Sequence, residues 1–380
     1  MHVDGQTLDG PRAVRPAELA HTMELVNDVF DPERRLMYER FPVLFADDNL
    51  PNCRIILDGA QPISHVACLV RDAVIGDPTV STACVGAVAT HSAYRGHRLA
   101  SAILDDCDHW MRRRGVHLVI VSGSRGLYLR RGLRTVGERR TYHLTPEVAP
   151  LLLDPSLDVR PGGPETTDAL AELYDQKPVR YVRSASDWEQ WLRAARCENR
   201  PARPMIAWSR GQARAYVVHT LPQEGDLAGR RAAEWAGEPA HVAAILAHIA
   251  TLPHVQQVDV ELDVVEDPEL ARALDDAGLA FTPGRGGPTV KVLRPAALFD
   301  VLRPYLTGRA RELTVQDAGE GARFSLGTQT LDLAVDEVAR TFFGDPDGLL
   351  PEKLAAAGEL GHTILENVPC PLPRYGYNYT

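Results

Sequence analysis

The segment Tyr94-Arg95-Gly96-His97-Arg98-Leu99-Ala100-Ser101 has the side chains needed to hold a multiply charged anion. It lies between an apolar run ending Val88-Ala89-Thr90 and the start of an amphipathic stretch. A turn from strand to helix presents unpaired backbone N–H groups and the positive end of a helix dipole. Two arginines, a histidine and a glycine permitting close approach would make that turn a receptor for a pyrophosphate. A basic turn is also a common solvated surface feature, so the flanking elements decide the reading.

Those elements have a consistent order. Leu19, Met23, Val26 and Phe30 recur at helical spacing, and Pro16 suits a helix start, so a helix is predicted over 16–30 and a second over 33–45. Strands are expected at 53–59, 63–76 and 81–91, with Ile63, His65 and Ala67 alternating against Ser64, Val66 and Cys68. After the basic loop, Leu99, Ile103, Leu104, Cys107 and Met111 form one stripe of a helix that Gly115 would cap. The apolar run 116–123 then reads as a buried strand.

Beyond a Pro- and Gly-rich linker at 145–165 the order repeats loosely. Helices are expected at 164–174 and 186–195, strands at 204–210, 213–221 and 231–237, then a helix at 240–250, a strand at 256–264 and a helix at 268–278. In this second copy the strand passes through Glu238-Pro239 straight into its helix, with no arginine-glycine loop. An anion site in the first copy should therefore be missing from the second. From about 293 a helix, three short strands (312–318, 322–328, 329–336), a helix near 350–360 and a Pro- and Tyr-rich tail at 366–380 complete the chain. The expected fold class is α+β, divided at 1–150, 151–292 and 293–380. The tail's composition suits an extended, docked segment.

The run VGAVATHSAYRGHRLASAIL (85–104) resembles the acetyl-CoA-binding motif of the GNAT N-acetyltransferases, written Q/R-x-x-G-x-G/A. Tandem GNAT-like domains, only the first with the loop, followed by a third α/β module, resemble the Eis-like branch, whose third domain is sterol-carrier-protein-like. The resemblance implies that Val88, Ala89 and Thr90 line the pantetheine arm of acetyl-CoA. It implies that Arg95, Gly96, His97, Arg98, Leu99, Ala100 and Ser101 cradle the pyrophosphate. Arg98 stands in the motif's central glycine slot, while Ala100 keeps the final small residue. SRGLYLRRGL (124–133) matches the family segment whose tyrosine, here Tyr128, is the general acid. The family's general base is its own C-terminal carboxylate, which here would belong to Thr380, where an aromatic residue is usual. Asp28, Phe30 and Glu39 fall on the first helices, which wall the acceptor pocket in such folds.

The chemistry suits those roles. An alkylammonium with a pKa near ~10.4 must lose a proton before its nitrogen attacks a thioester, and a carboxylate can take that proton. A phenol with a pKa near ~10 can protonate the departing thiolate, and backbone N–H groups at Val88 and Ala89 would stabilise the oxyanion. The expected function is acetyl-CoA-dependent acetylation of a primary amine on an aminoglycoside, amino sugar, polyamine or lysine. The alternative is a binding protein with a degenerate GNAT fold and an apolar-ligand module. The Arg98 substitution favours the alternative; Tyr128 with an otherwise intact loop favours the enzyme.

Composition bounds these readings. The chain has 380 residues, 44% hydrophobic and 24% charged, which predicts two or three globular domains. A net charge of −10 argues against nucleic acid as the main partner and suits a cationic substrate. Lysine occurs only at Lys177, Lys291 and Lys353, so nearly all the basic charge is arginine. No stretch is apolar enough to span a bilayer, and the N-terminus lacks the layout of a secretory leader. Six scattered cysteines without metal-ligand spacing point to reduced core thiols in a cytoplasmic protein and to no metal site. The resemblance also implies a homo-oligomer, a hexamer among the options.

Overall fold

The computed structural model describes residues 2–3, 6–222 and 229–379. Two mixed sheets, each of eight strands, lie at its centre. The first runs Asp9–Ala13, Arg54–Asp58, Gln61–Ile75, Thr79–Thr90, Leu118–Val121, Thr289–Val292 and Arg134–Thr135, with Val179–Tyr181 added along Gln61–Ile75. The second runs Asp158–Pro161, Arg200–Ser209, Gln212–Thr220, Gly229–Gly237, Gln257–Asp263, Glu138–Leu144 and Phe281–Arg285, with Arg196–Cys197 pairing at one end.

In the first sheet α1 (Leu19–Phe30) and α2 (Met37–Arg40) precede the antiparallel strands. The second helix is far shorter than the 33–45 expected; Phe41, Val43, Leu44 and Phe45 are buried from an irregular turn instead. Helix α3 (Leu99–Arg113) connects the one parallel pair of this sheet, Thr79–Thr90 and Leu118–Val121. Leu99, Ile103, Leu104, Cys107 and Met111 are buried against that sheet as the stripe predicted. Each of the larger of these contributes roughly 1.5–3 kcal/mol, which fixes where the helix begins. The expected alternation along 63–68 slips by one. Ile63, Val66 and Cys68 share the core under α3 while Ala67 and Leu69 face the other side. An irregularity in pairing at His65/Ala67 supplies the odd residue.

The second sheet repeats the plan. Helix α5 (Thr167–Asp175) corresponds to α1, and α7 (Pro239–Ala250) joins the parallel pair Gly229–Gly237 and Gln257–Asp263. Helix α6 (Ala185–Ala194) is capped by Ser184, whose hydroxyl accepts from the Asp187 N–H. Asp187 in turn receives Arg71 of the first sheet at 2.6 Å. Helix α8 (Pro268–Asp276) follows the second parallel pair as α4 (Gly126–Leu129) follows the first.

The sheets trade strands across the expected division at 150/151. Glu138–Leu144 pairs with Gln257–Asp263 in the second sheet, and Thr289–Val292 returns to pair with Leu118–Val121 in the first. The two crossings lie side by side, bonded through Val136 to Pro288 and Gly287 to Val136. Gly286, at φ +45°, is required there, because a Cβ would meet the Thr135 methyl and the Val136 carbonyl.

The third unit contains α9 (Pro295–Leu302), a three-stranded antiparallel sheet (Thr314–Ala318, Gly321–Leu326, Gln329–Leu333), and α10 (Val335–Phe343), α11 (Leu350–Ala356) and α12 (Gly358–Leu365). Its rings Phe299, Phe324 and Phe342 pack on one another. Phe299, Phe324, Phe342 and Phe343 join the same buried cluster as Val290, Val292 and Leu118. The tail leaves this unit and lies along the seam between the two sheets, docked as its composition suggested. The Cys370 N–H donates to the Phe342 carbonyl, and Arg374 N–H to Glu266 at 3.0 Å.

Candidate active site of the first sheet

In the first sheet the parallel pairing runs only from Thr82/Leu118 to Cys84/Ile120, although one strand continues to Thr90. Beyond that point the two strands no longer pair, and the edge of Val85–Thr90 is left open on that side. A bulge at Ala87 and Val88 lies within it. Both face a single residue of the neighbouring strand, and Ala87 has φ +45°. The bulge is pinned from beneath by His65, whose Nδ1 lies 3.0 Å from the Ala87 carbonyl. Burial drives the His65 pKa down to about 4, so the ring is neutral and donates that bond. Ala89 is fully buried, whereas Val88 and Thr90 are half-buried at the opening.

The basic loop begins where this strand ends. A single 3₁₀ turn, Ser92–Tyr94, is fixed by Tyr94, whose hydroxyl donates to Asp58 at 2.6 Å. Gly96 has φ +86°, and Arg98 has φ +59° and ψ 22° immediately before α3. The glycine slot of the sequence motif is thus a left-handed residue. Arginine occupies it at a cost of roughly 1–2 kcal/mol. Its side chain is exposed, as is that of Arg95. The first α3 turn bond is Ala102 N–H to Arg98 carbonyl at 3.0 Å, and no side chain caps the helix. The amides of Leu99, Ala100 and Ser101 therefore have no helical acceptor. His97 Nδ1 lies against the carbonyls of Tyr94 and Arg95.

Tyr128 sits in α4, just past the Leu118–Val121 strand, and is 7% exposed. Burial raises its pKa, opposed by Arg125, so the phenol keeps its proton at neutral pH. On the α1 side, a cavity of about 310 Å³ is lined by His21, Glu24, Leu25, Asp28, Gln61, Pro62, Ala60 and His91. Asp28 is the one expected acceptor residue on that wall. Phe30 is 37% exposed and Glu39 is exposed on α2, and neither lines it.

Sequence reasoning missed how the tail is held. Arg183, fully enclosed, donates to both oxygens of Glu234 at 2.9 and 2.7 Å. Its guanidinium lies 3.7 Å over Tyr174 and 4.8 Å over Trp188. Nε of Arg183 reaches the Asn378 Oδ1 at 2.7 Å, and Glu234 accepts from the Tyr377 N–H at 3.1 Å. Tyr377 stacks on Trp191, and Tyr379 on Phe41. Burial would raise the Glu234 pKa, but the Arg183 charge overrides it and holds the carboxylate ionised. Tyr375, whose hydroxyl is buried without a partner, lies close enough to Cys84 and Tyr128 for each to push its pKa up further beyond the effect of burial. The tyrosine-rich run 375–379 was the available signal; the Arg183–Glu234 pair, distant in sequence, gave none. Thr380 lies outside the described residues.

The second sheet opens in the same way, with pairing that stops at Ala232/Val260. There, as expected, no loop intervenes. Pro239 takes the first helical position, removing an amide, and Glu238 stands where an anion would bind.

Among the described residues no group of three or more His, Cys, Asp or Glu side chains could hold a metal, and no helix is long and apolar enough to cross a membrane. No curated protein sequence matches the chain. Residues 11–136 match the family described as an acetyltransferase (GNAT) domain. Among solved structures, a GCN5-related N-acetyltransferase from Anabaena variabilis is 12% identical, over 97% of this chain and 98% of that one, with a TM-score of 0.66. A probable N-acyltransferase from Enterococcus faecalis is 16% identical over 97% of both chains, with a TM-score of 0.69. Eis1 from Mycobacterium abscessus is 16% identical, over 93% and 92%, with a TM-score of 0.63. The chain therefore has the GNAT acetyltransferase fold, in a full-length arrangement that it shares with Eis1.

Proposed function

We propose that the protein transfers an acetyl group from acetyl-CoA to a primary amine at the open edge of the first sheet. The observation that carries this reading is the junction there of three features: a bulged strand edge, an uncapped helix start beside two exposed arginines, and a protonated tyrosine. Acetyl-CoA fits these residues. The free amides of Leu99, Ala100 and Ser101, with Arg95, Gly96, His97 and Arg98, suit its pyrophosphate. The backbone at Val88, Ala89 and Thr90 suits the pantetheine arm. Arg98 adds a charge where the motif has glycine and keeps the backbone shape that glycine provides.

The amine enters from the α1 side, where the cavity is lined by Glu24 and by Asp28, whose carboxylate is paired with Arg35. Its ammonium gives up a proton to a carboxylate, the part that the family resemblance assigns to the chain's terminal group on Thr380. The amine nitrogen then attacks the thioester carbonyl. The oxyanion is held by backbone N–H groups at Val88 and Ala89; on its collapse Tyr128 passes its proton to the departing thiolate sulfur, and the phenolate takes the second proton from the acetylated nitrogen. His65 takes no part as a base, being buried and neutral. The reading includes a reducing, cytoplasmic setting, supported by six free, buried cysteines, and a homo-oligomer. A sterol-carrier likeness of the third unit stays an implication of the sequence resemblance alone.

The test is release of free CoA thiol from acetyl-CoA against a panel of polyamines, amino sugars and lysine peptides. Turnover with at least one amine is expected. No release with any amine, together with no CoA binding, refutes the enzyme and leaves a binding protein.

A further inference from the structure

We propose that His65 is a positioning residue for acetyl-CoA: its bond to the Ala87 carbonyl holds the bulge of Thr79–Thr90 in the shape against which the pantetheine arm pairs. The proposal rests on the acetyl-CoA reading of this strand edge, and adds to it a side chain that touches no ligand.

The bulge is strained where it matters. Ala87 and Val88 are the two residues left between the cross-strand pairs Ala67/Gly86 and His65/Ala89. Ala87 takes φ +45°, a left-handed value that an alanine adopts only at a cost. Such a residue persists where its surroundings over-determine it. Two adjacent side chains of Gln61–Ile75 do so here. His65 Nδ1 lies 3.0 Å from the Ala87 carbonyl, and Ser64 Oγ donates to the Ala89 carbonyl at 3.1 Å. Val88, half-buried at the opening, lies between the two anchored carbonyls.

An apolar side chain would fill the place of His65 with less desolvation. The residue is 0% exposed, and the Phe45 ring lies 6.1 Å from its own. Burial keeps the imidazole neutral, so it carries a single N–H. Its Nε2 is buried without a partner, which leaves the Ala87 carbonyl as the ring's acceptor among the described residues. Buried N–H groups are hardly ever left unpaired, so the proton belongs on Nδ1. What the histidine supplies, and an apolar residue would not, is the bond to the bulge.

Calorimetry of acetyl-CoA binding to the full chain tests it, with ADP, which has the diphosphate and no pantetheine arm, as the control. His65→Leu should weaken acetyl-CoA by about tenfold, the worth of one hydrogen bond, and leave ADP unchanged. His65→Asn, whose amide nitrogen can stand near the place of Nδ1, should recover most of that loss. Adding Ala87→Gly to His65→Leu should recover it too, because glycine takes the left-handed value without strain. A histidine that served only the stability of the fold would gain nothing from that change. Wild-type affinity in His65→Leu, equal losses of acetyl-CoA and ADP, or a double variant no better than His65→Leu alone overturns the role of His65. A wild type that binds no acetyl-CoA overturns instead the reading of the edge itself. Long-range nitrogen–proton NMR of the wild-type imidazole needs no variant: a proton on Nδ1 is expected, and a proton on Nε2 overturns the assignment.

Discussion

Replacing Gly376 by alanine should release the tail without unfolding the sheets that hold it. Gly376 has φ +48°, and a Cβ there would collide with the Glu234 carboxylate, itself clamped by Arg183, Tyr216 and the Tyr377 N–H. The carboxylate cannot yield, because moving it would strip the fully enclosed Arg183 of its counter-charge. The tail must move instead. It then loses the bond from Tyr377 N–H to Glu234 and the bond from Arg183 to Asn378, at about 1.5–3 kcal/mol each for bonds to charged groups. The summed loss of about 3–6 kcal/mol shifts docking by roughly a hundredfold to ten-thousandfold. Amide hydrogen exchange at 375–379 should rise by about that factor, while the strands Gln61–Ile75 and Gln212–Thr220 keep their protection. If the terminal carboxylate is the base, turnover should fall with it and the affinity for CoA should hold. Unchanged protection of the tail would refute the account of Glu234 as its fixed anchor.

Tyr128→Phe should slow acetyl transfer by about 10²–10⁴, the usual worth of a positioned acid, while CoA affinity stays nearly constant; an equal loss of both would remove its role as acid. Arg95→Ala and Arg98→Ala should each weaken CoA in calorimetry, more so at low salt. Arg98→Gly should behave like Arg98→Ala, because the left-handed backbone is retained and the charge is lost. Wild-type CoA affinity in both Arg98 variants would show that the arginine contributes only to the turn. His65 and His219, both buried and driven down to about 4 from an unfolded value near 6.5, bind fewer protons folded than unfolded. Their contribution to stability is complete above pH ~6.5, falls as the unfolded forms protonate, and is gone near pH ~4. Thermal melts from pH 7 to 5 should show a falling Tm with a shallower slope in His65→Asn, and identical slopes would contradict the burial argument.

Much of the first site was legible because it is local. The loop 94–101, the α3 stripe and Tyr128 lie within a short span of chain, and strand, turn and helix signals each report on their own neighbourhood. Even there, pattern failed where tertiary packing overrode it. The helix expected at 33–45 shrinks to Met37–Arg40, since Phe41, Leu44 and Phe45 reach the core better from a turn. Of the residues expected to wall an acceptor pocket, Asp28 lines the cavity beside α1, while Phe30 and Glu39 do not. Trp188 and Trp191 pack against Tyr377 of the tail, and Trp235 is buried in the core of the second sheet, contacts that no local pattern shows.

By itself the sequence determined the α+β class, the repeated order of elements, and which copy carries an arginine-glycine loop, because hydrophobic period and turn chemistry act over a few residues. Only the tertiary structure decided that Glu138–Leu144 and Thr289–Val292 exchange sheets, since strand partners are chosen by edge pairing across long separations that no local pattern encodes. The same holds for Arg183 and Glu234. Each is an ordinary charged residue in its own segment, and burial together around Gly376 and Asn378 makes them the anchor of the tail.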